Sequence, residues 1–243
     1  MNVNSKSNIS IVFDSGPIIS LATNGLLSIL PDLKNDFEGD FLIASKVKEE
    51  VIDRPLTSKN YQFEALRVLN YISDGTITVV NNAQIEQKAN ELLALANRIY
   101  RAQNNNITIV HIAEMQVLAI AIIYDSSAVV IDERTARHII DKPFKLQEHL
   151  QNKLHTQVTI DKDALRQFYE LTKDIKVLRS VELLTIAFEK GHLKKYFNDK
   201  EKAFVKDINR QILTSGLWAL KLNGCAVTER EIEKIVKAEG KFF

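Results

Sequence analysis

A chain of 243 residues with 45% hydrophobic and 26% charged content has enough apolar material for one large core or two small ones, which excludes disorder as its main state. Its formal net charge of +1 hides a division at residue 150: residues 1–150 hold 14 Lys and Arg against 18 Asp and Glu, net −4, while residues 151–243 hold 18 against 13, net +5. The acidic part suits a cation and the basic part a polyanion. A single cysteine, Cys225, excludes an internal disulfide, and no apolar run approaches the roughly 20 residues of a membrane span. With a polar start from Met1 to Ser10, the expected protein is soluble and cytoplasmic, with no membrane partner.

In chain order, Ile9 to Phe13 is a β-branched run of strand length, closed by Asp14-Ser15-Gly16-Pro17. Pro17 suits the first turn of a helix continuing through Leu21, Leu26 and Leu30. Phe41 to Ala44 is the second strand, and Ser45 opens a helix carrying Val47, Glu50 and Val51. That helix is expected to stop at Asp53-Arg54-Pro55, because the residue before a proline avoids the helical region. Residues 58–73 read as a helix and Thr76 to Val80 as the third strand, with Asp74-Gly75 turning between them. Helices near Gln84 to Gln103 and Thr108 to Tyr124 precede a fourth strand, Ala128 to Ile131. Such alternation argues for right-handed crossovers and a parallel sheet covered on both faces.

Beyond Arg137 the pattern weakens. Gln157 to Ile160 is the candidate fifth strand, and Asp161-Lys162-Asp163 opens a helix to about Asp174. Helices follow over Leu178 to Lys190, from about Glu201 to Leu222, and after the capping box Thr228-Glu229-Arg230-Glu231. No Gly/Ser-rich linker separates the parts, so residues 1–145 are expected to form an α/β domain and residues 146–243 a mostly helical extension packed on it.

Four acids stand where this topology gathers ligands, beyond the carboxyl ends of the strands. Asp14 ends the first strand, Asp132 ends the fourth, Glu50 lies on the helix after the second, and Glu114 on the helix leading into the fourth. If the first and fourth strands are neighbours, Asp14 and Asp132 meet, and a bound Mg²⁺ or Mn²⁺ accounts for such a cluster better than shared protons. Asp14 and Asp132 also suit helix N-caps. Glu114, among Ile112, Val117 and Leu118, needs a partner for its carboxylate, which a metal ion would supply. His111 reads as a packed or capping histidine, since hard cations prefer oxygen.

The segments Ile11-Val-Phe-Asp-Ser-Gly-Pro-Ile-Ile19, Val47-Lys-Glu-Glu-Val51, Ala113-Glu114 and Val130-Ile-Asp-Glu-Arg-Thr-Ala-Arg137 together resemble the PIN nuclease family. They are similar in particular to a prokaryotic group with Asp-Ser/Thr-x-Pro-Leu-Ile and Asp-Asp-x-x-Ala-Arg motifs, related to the toxins of toxin–antitoxin pairs. The resemblance implies a three-layer α/β/α fold with strand order 3-2-1-4-5. It also implies a Mg²⁺- or Mn²⁺-dependent endoribonuclease whose metal is held by Asp14, Glu50, Glu114 and Asp132. Ser15 and Arg137 are candidate phosphate contacts, as are Lys194 and Lys195 in the basic part. RNA is the expected substrate, and an antitoxin protein and a second copy of the chain are the expected protein partners. The sequence departs from that group at Gly16, where Ser or Thr is usual, at Glu133, where a second Asp is frequent, and at His111-Ile112-Ala113, where Gly-x-Gly precedes the third acid. Residues 141–180 read as an insertion. Two other readings stand beside the nuclease: a PIN-type nucleic-acid-binding or regulatory module with little turnover, and a phosphate-accepting receiver-like domain. The latter lacks an acceptor Asp at the end of the third strand, where Val79-Val80-Asn81 stands.

Overall fold

The structure is a computed structural model that describes residues 9–198 and 204–242. Its centre is a five-stranded parallel sheet. Strand β1 (Ser10–Phe13) pairs with β2 (Asp40–Ala44) on one side and with β6 (Ala128–Val130) on the other. β3 (Thr78–Val80) flanks β2, and β8 (Val177–Leu178) flanks β6. The order β3-β2-β1-β6-β8 is the expected 3-2-1-4-5 arrangement. All residues of β1 and β6 are buried, as continuous apolar strands are when helices cover both faces of a sheet.

On one face, α7 (Ile112–Ile123) lies against β1, β2 and β6, with α6 (Ala83–Ile99) packed on it and α10 (Lys162–Thr172) against both. The other helical layer holds α1 (Ser15–Thr23), α5 (Gln62–Ser73) and α11 (Ser180–Glu189). In it α1 packs on α5 and α11, and α11 also meets α2 (Ile29–Phe37). Helix α12 (Ile208–Leu222) packs against α11, and α13 (Glu229–Ala238) against α12. The expected start of α12 near Glu201 lies outside the described residues. Among the described residues no helix is long and apolar enough to cross a membrane.

Three expectations are corrected. The fifth strand of the central sheet is not Gln157 to Ile160. Val158–Ile160 is a strand, β7, but it pairs antiparallel with β4 (Tyr100–Ala102), which pairs in turn with β5 (Asn105–Asn106) in a separate small sheet. The place beside β6 goes to Val177–Leu178, so the central sheet draws an edge from beyond residue 145. Second, α6 stops at Ile99 rather than Gln103, because Gln103 and Asn104 both take positive φ, 50° and 65°, the paired left-handed geometry of a two-residue hairpin turn. Tyr100 is buried there, its hydroxyl donating to the Pro143 carbonyl at 2.8 Å.

Third, Pro55 does not end the helix after β2. Helix α3 (Ser45–Lys48) passes through a π-helical turn, Glu49–Asp53, into α4 (Arg54–Leu56), where Pro55 occupies the first turn. A proline cannot donate to the turn before it and its ring crowds the carbonyl four residues back, and the widened π turn lies directly before it, where the regular ladder is already interrupted. The widened turn carries both Glu49 and Glu50, and π-bulges recur at functional sites.

Candidate active site

The carboxyl ends of the parallel strands open into a cleft of about 690 Å³, lined by Asp14, Glu50, Glu114 and Asp132 together with Ser15, Lys46, Arg54, His111 and Glu133. All four acids expected to hold metal therefore reach one cavity. The register explains two of them. Phe13 pairs with Val130 and the Asp14 amide donates to the Val130 carbonyl at 3.0 Å, so the residues that follow β1 and β6 emerge side by side.

Asp14 is 5% exposed, and although it precedes α1 its side chain makes no capping hydrogen bond. The capping explanation for this residue fails. Burial pushes its carboxyl up to about 7; the backbone amide of Ser15 offsets part of that, and the charges of Glu114, Glu50 and Asp132 add to it. A carboxylate in this position is short of a positive partner. Asp132, 2% exposed, accepts from the Ser180 amide at 2.8 Å and from the Ser180 hydroxyl at 2.7 Å.

Glu114 has a partner within the protein, where a metal ion was expected to supply one. It is the third residue of α7, and its Oε2 accepts from the His111 backbone amide at 2.8 Å in a capping box. Burial still raises its carboxyl, partly offset by the His111 and Glu114 amides. Glu50 and Glu49 are separated cleanly. Glu49 is ion-paired to Lys46 at 2.7 Å and to Arg54 at 2.8 Å, whereas Glu50 faces the cleft. Glu133 lines the cleft too, but caps α8 (Arg134–Asp141) by accepting from the Ala136 amide at 2.7 Å.

The expected phosphate contacts divide. Ser15 lines the cleft; Arg137, Lys194 and Lys195 do not. Arg137 is turned into the protein, its Nη2 donating to the Ala226 carbonyl at 3.1 Å and its Nε buried without a partner. Burial and the neighbouring Arg179 lower its affinity for its proton. Lys195 is tied to Asp32 and to the Ser28 carbonyl, and Lys194 lies with it in the 3₁₀ turn His192–Tyr196. The cations actually at the cleft are Lys46 and Arg54, which the sequence reading passed over. Their signal was available: both flank Glu50 on the connection that leaves the carboxyl end of β2.

Oxygen-only donors such as these four carboxylates suit Mg²⁺ or Mn²⁺, and the buried, under-partnered Asp14 is the clearest sign that a cation fits. Among the described residues no three His, Cys, Asp or Glu side chains stand close enough to share one ion directly. The carboxylates thus share an electrostatic field, while Glu114 and Asp132 each hold hydrogen bonds from the protein.

A family model described as PIN domain matches residues 10–143. The chain belongs to the PIN-domain family. PIN domains are in general nucleases and typically use divalent metals, and the match spans Asp14, Glu50, Glu114 and Asp132 but ends before β8, Ser180 and the carboxyl-terminal helices. No curated protein matches the chain.

Proposed function

We propose that this PIN-domain protein is a Mg²⁺- or Mn²⁺-dependent endonuclease that hydrolyses phosphodiester bonds in RNA. The observation that carries the proposal is the convergence of Asp14, Glu50, Glu114 and Asp132, from four separate elements, on one cleft. A divalent cation there supplies a lowered pKa for attacking water and charge neutralisation at the phosphate. Asp14 is the central ligand in this reading, because its ionised form is disfavoured until a cation is present. Asp132, Glu50 and Glu114 complete the anionic wall, and Ser15, at the start of α1, offers its hydroxyl to a phosphate oxygen.

Lys46 and Arg54 take the role first given to Arg137, Lys194 and Lys195. Both line the cleft, and each keeps donors beyond those used by Glu49, since an ammonium has three and a guanidinium five. Phosphate oxygens approaching the carboxylates would otherwise meet only negative charge.

The test is to incubate purified protein with RNA and with single-stranded DNA, with and without Mn²⁺. Cleavage of RNA that requires the ion is expected, and intact RNA at saturating Mn²⁺ would defeat the proposal. That no three His, Cys, Asp or Glu side chains among the described residues stand close enough to share one ion favours a second reading, a nucleic-acid-binding module with little turnover, which the same assay reveals as RNA binding without products. A toxin role with an antitoxin partner follows from the resemblance; expression should then arrest growth, and Asp14→Asn should relieve the arrest.

A further inference from the structure

We propose that Ser180 is the positioning residue for Asp132, so that chain beyond the family match completes the candidate metal centre; this rests on the nuclease reading above. The central sheet brings the two residues together. Val130 is paired with Leu178 in parallel register, with Val129 donating to the Lys176 carbonyl and Ile131 to the Leu178 carbonyl, both at 2.8 Å. Continuing that register by two residues sets Asp132 opposite Ser180, the first residue of α11.

Both donors of Ser180 are then spent on one carboxylate. The amide reaches Oδ1 at 2.8 Å and the hydroxyl reaches Oδ2 at 2.7 Å, with both residues buried. Two bonds to the two oxygens fix the plane of the carboxylate as well as its place. Each oxygen of an ionised carboxylate has about two acceptor sites; Ser180 uses one on each and the buried Cys225 thiol also bonds with this carboxylate, which still leaves acceptor capacity for a cation in the cleft. Outer hydrogen bonds of this kind orient a metal-binding group before the ion arrives.

Other buried hydroxyls meet neutral partners. Thr172 donates to the Phe168 carbonyl four residues back, at 2.9 Å, the usual arrangement within a helix, and Ser20 donates to the Asn223 carbonyl at 3.1 Å. Ser180 instead donates to a buried carboxylate.

The main chain of Asp132 is also held from outside the matched residues. Its carbonyl accepts from the Ala226 amide at 3.1 Å. The Ala226 carbonyl accepts from Arg137 at 3.1 Å and from Arg179 at 3.2 Å, and Arg179 is in turn ion-paired to Glu231 at 3.1 Å. The half-buried Arg137, outside the lining of the cleft, has its place here. It helps to fasten the segment that sits over Asp132.

The experiment uses the full chain and Mn²⁺ as the probe, reading free Mn²⁺ by electron paramagnetic resonance and folding by melting in EDTA. Ser180→Ala removes the hydroxyl donor and leaves the amide. Its Mn²⁺ affinity is expected to fall about tenfold or more, with the variant still folded in EDTA at a melting point lowered by the loss of one buried hydrogen bond. Thr172→Val, which deletes a buried hydroxyl away from the site, should bind Mn²⁺ as the parent does. In an Asp132→Asn background, Ser180→Ala should cause no further loss, because its effect acts through that carboxylate. A folded Ser180→Ala variant with parental affinity overturns the proposal while leaving the nuclease reading intact, and so does an equal further loss in the Asp132→Asn background. A parent that binds no Mn²⁺ overturns both. Should Ser180→Ala fail to fold, Ser180→Cys keeps the volume with a weaker donor, and parental affinity in that variant would count against the proposal equally.

Discussion

Replacing Asp14 by Asn should make the metal-free protein more stable at neutral pH while destroying its metal site. The carboxyl of Asp14 rises from 3.8 to about 7, with burial as the largest cause. Since the folded value lies above the unfolded one, the folded chain keeps a proton that the unfolded chain has released, and stability is lost as pH climbs from about 4 to about 7. Each tenfold change in proton affinity is worth about 1.4 kcal/mol, so the ionised carboxylate costs the metal-free fold about 4 kcal/mol at most above pH 7. Asn keeps the shape and carries no charge. If it recovers about half of that cost, a chain of this size should melt about 4–8 °C higher at pH 8 in EDTA, with the difference vanishing near pH 4. Added Mn²⁺ should reverse the ranking, stabilising the parent and not the variant. The assay is thermal melting of both proteins from pH 4 to 8, with EDTA or Mn²⁺, beside RNA cleavage. Equal pH dependence of the two proteins in EDTA would refute the assignment of the cost to Asp14, and an Asp14→Asn variant as active as the parent would remove Asp14 from the metal site.

Glu50→Gln is expected to lower Mn²⁺ affinity at least tenfold, whereas Glu49→Gln, which breaks only half-exposed ion pairs, should change it little; titration calorimetry on the two variants decides. The double variant Lys46→Ala with Arg54→Ala should weaken RNA binding and reduce its salt slope by roughly 0.7 for each phosphate no longer neutralised. The Lys194 and Lys195 double substitution should leave that slope alone. For the parent, Mn²⁺ at a hundredfold excess over its dissociation constant should add about 2.7 kcal/mol of stability, a rise of about 5–10 °C in melting point; an unmoved melting curve would contradict the site.

What the sequence made legible follows from how strongly each residue is constrained. Asp14 and Asp132 stood out because an apolar run that must be buried on both faces has to end where a polar residue emerges, and both runs end in Asp. The structure separates Glu50 from its neighbour, since Glu49 pairs with Lys46 and Arg54 while Glu50 lines the cleft. The edge strand β8 was not legible. Two residues, Val177 and Leu178, carry no measurable alternation, and their pairing depends on the long-range meeting with β6. Val158–Ile160 carries a clearer strand pattern and was therefore assigned to the wrong sheet.

The misplaced cations show how net charge and position differ. Counting charge over residues 151–243 located an excess but not its direction: Lys195 faces Asp32, and Arg179 is turned inward on Ala226. Topology would have done better. In a parallel sheet every connection that leaves the carboxyl end of a strand starts at the ligand-binding end, so Lys46 and Arg54, following β2, were placed at the carboxylate end by construction. The tail reaches the site by another route. It supplies neutral donors instead of charge, Ser180 to the side chain of Asp132 and Ala226 to its main chain. A substrate-binding role for the tail would appear as a salt-dependent loss of RNA affinity on removing its lysines, whereas a positioning role predicts a loss of Mn²⁺ affinity on removing one uncharged hydroxyl.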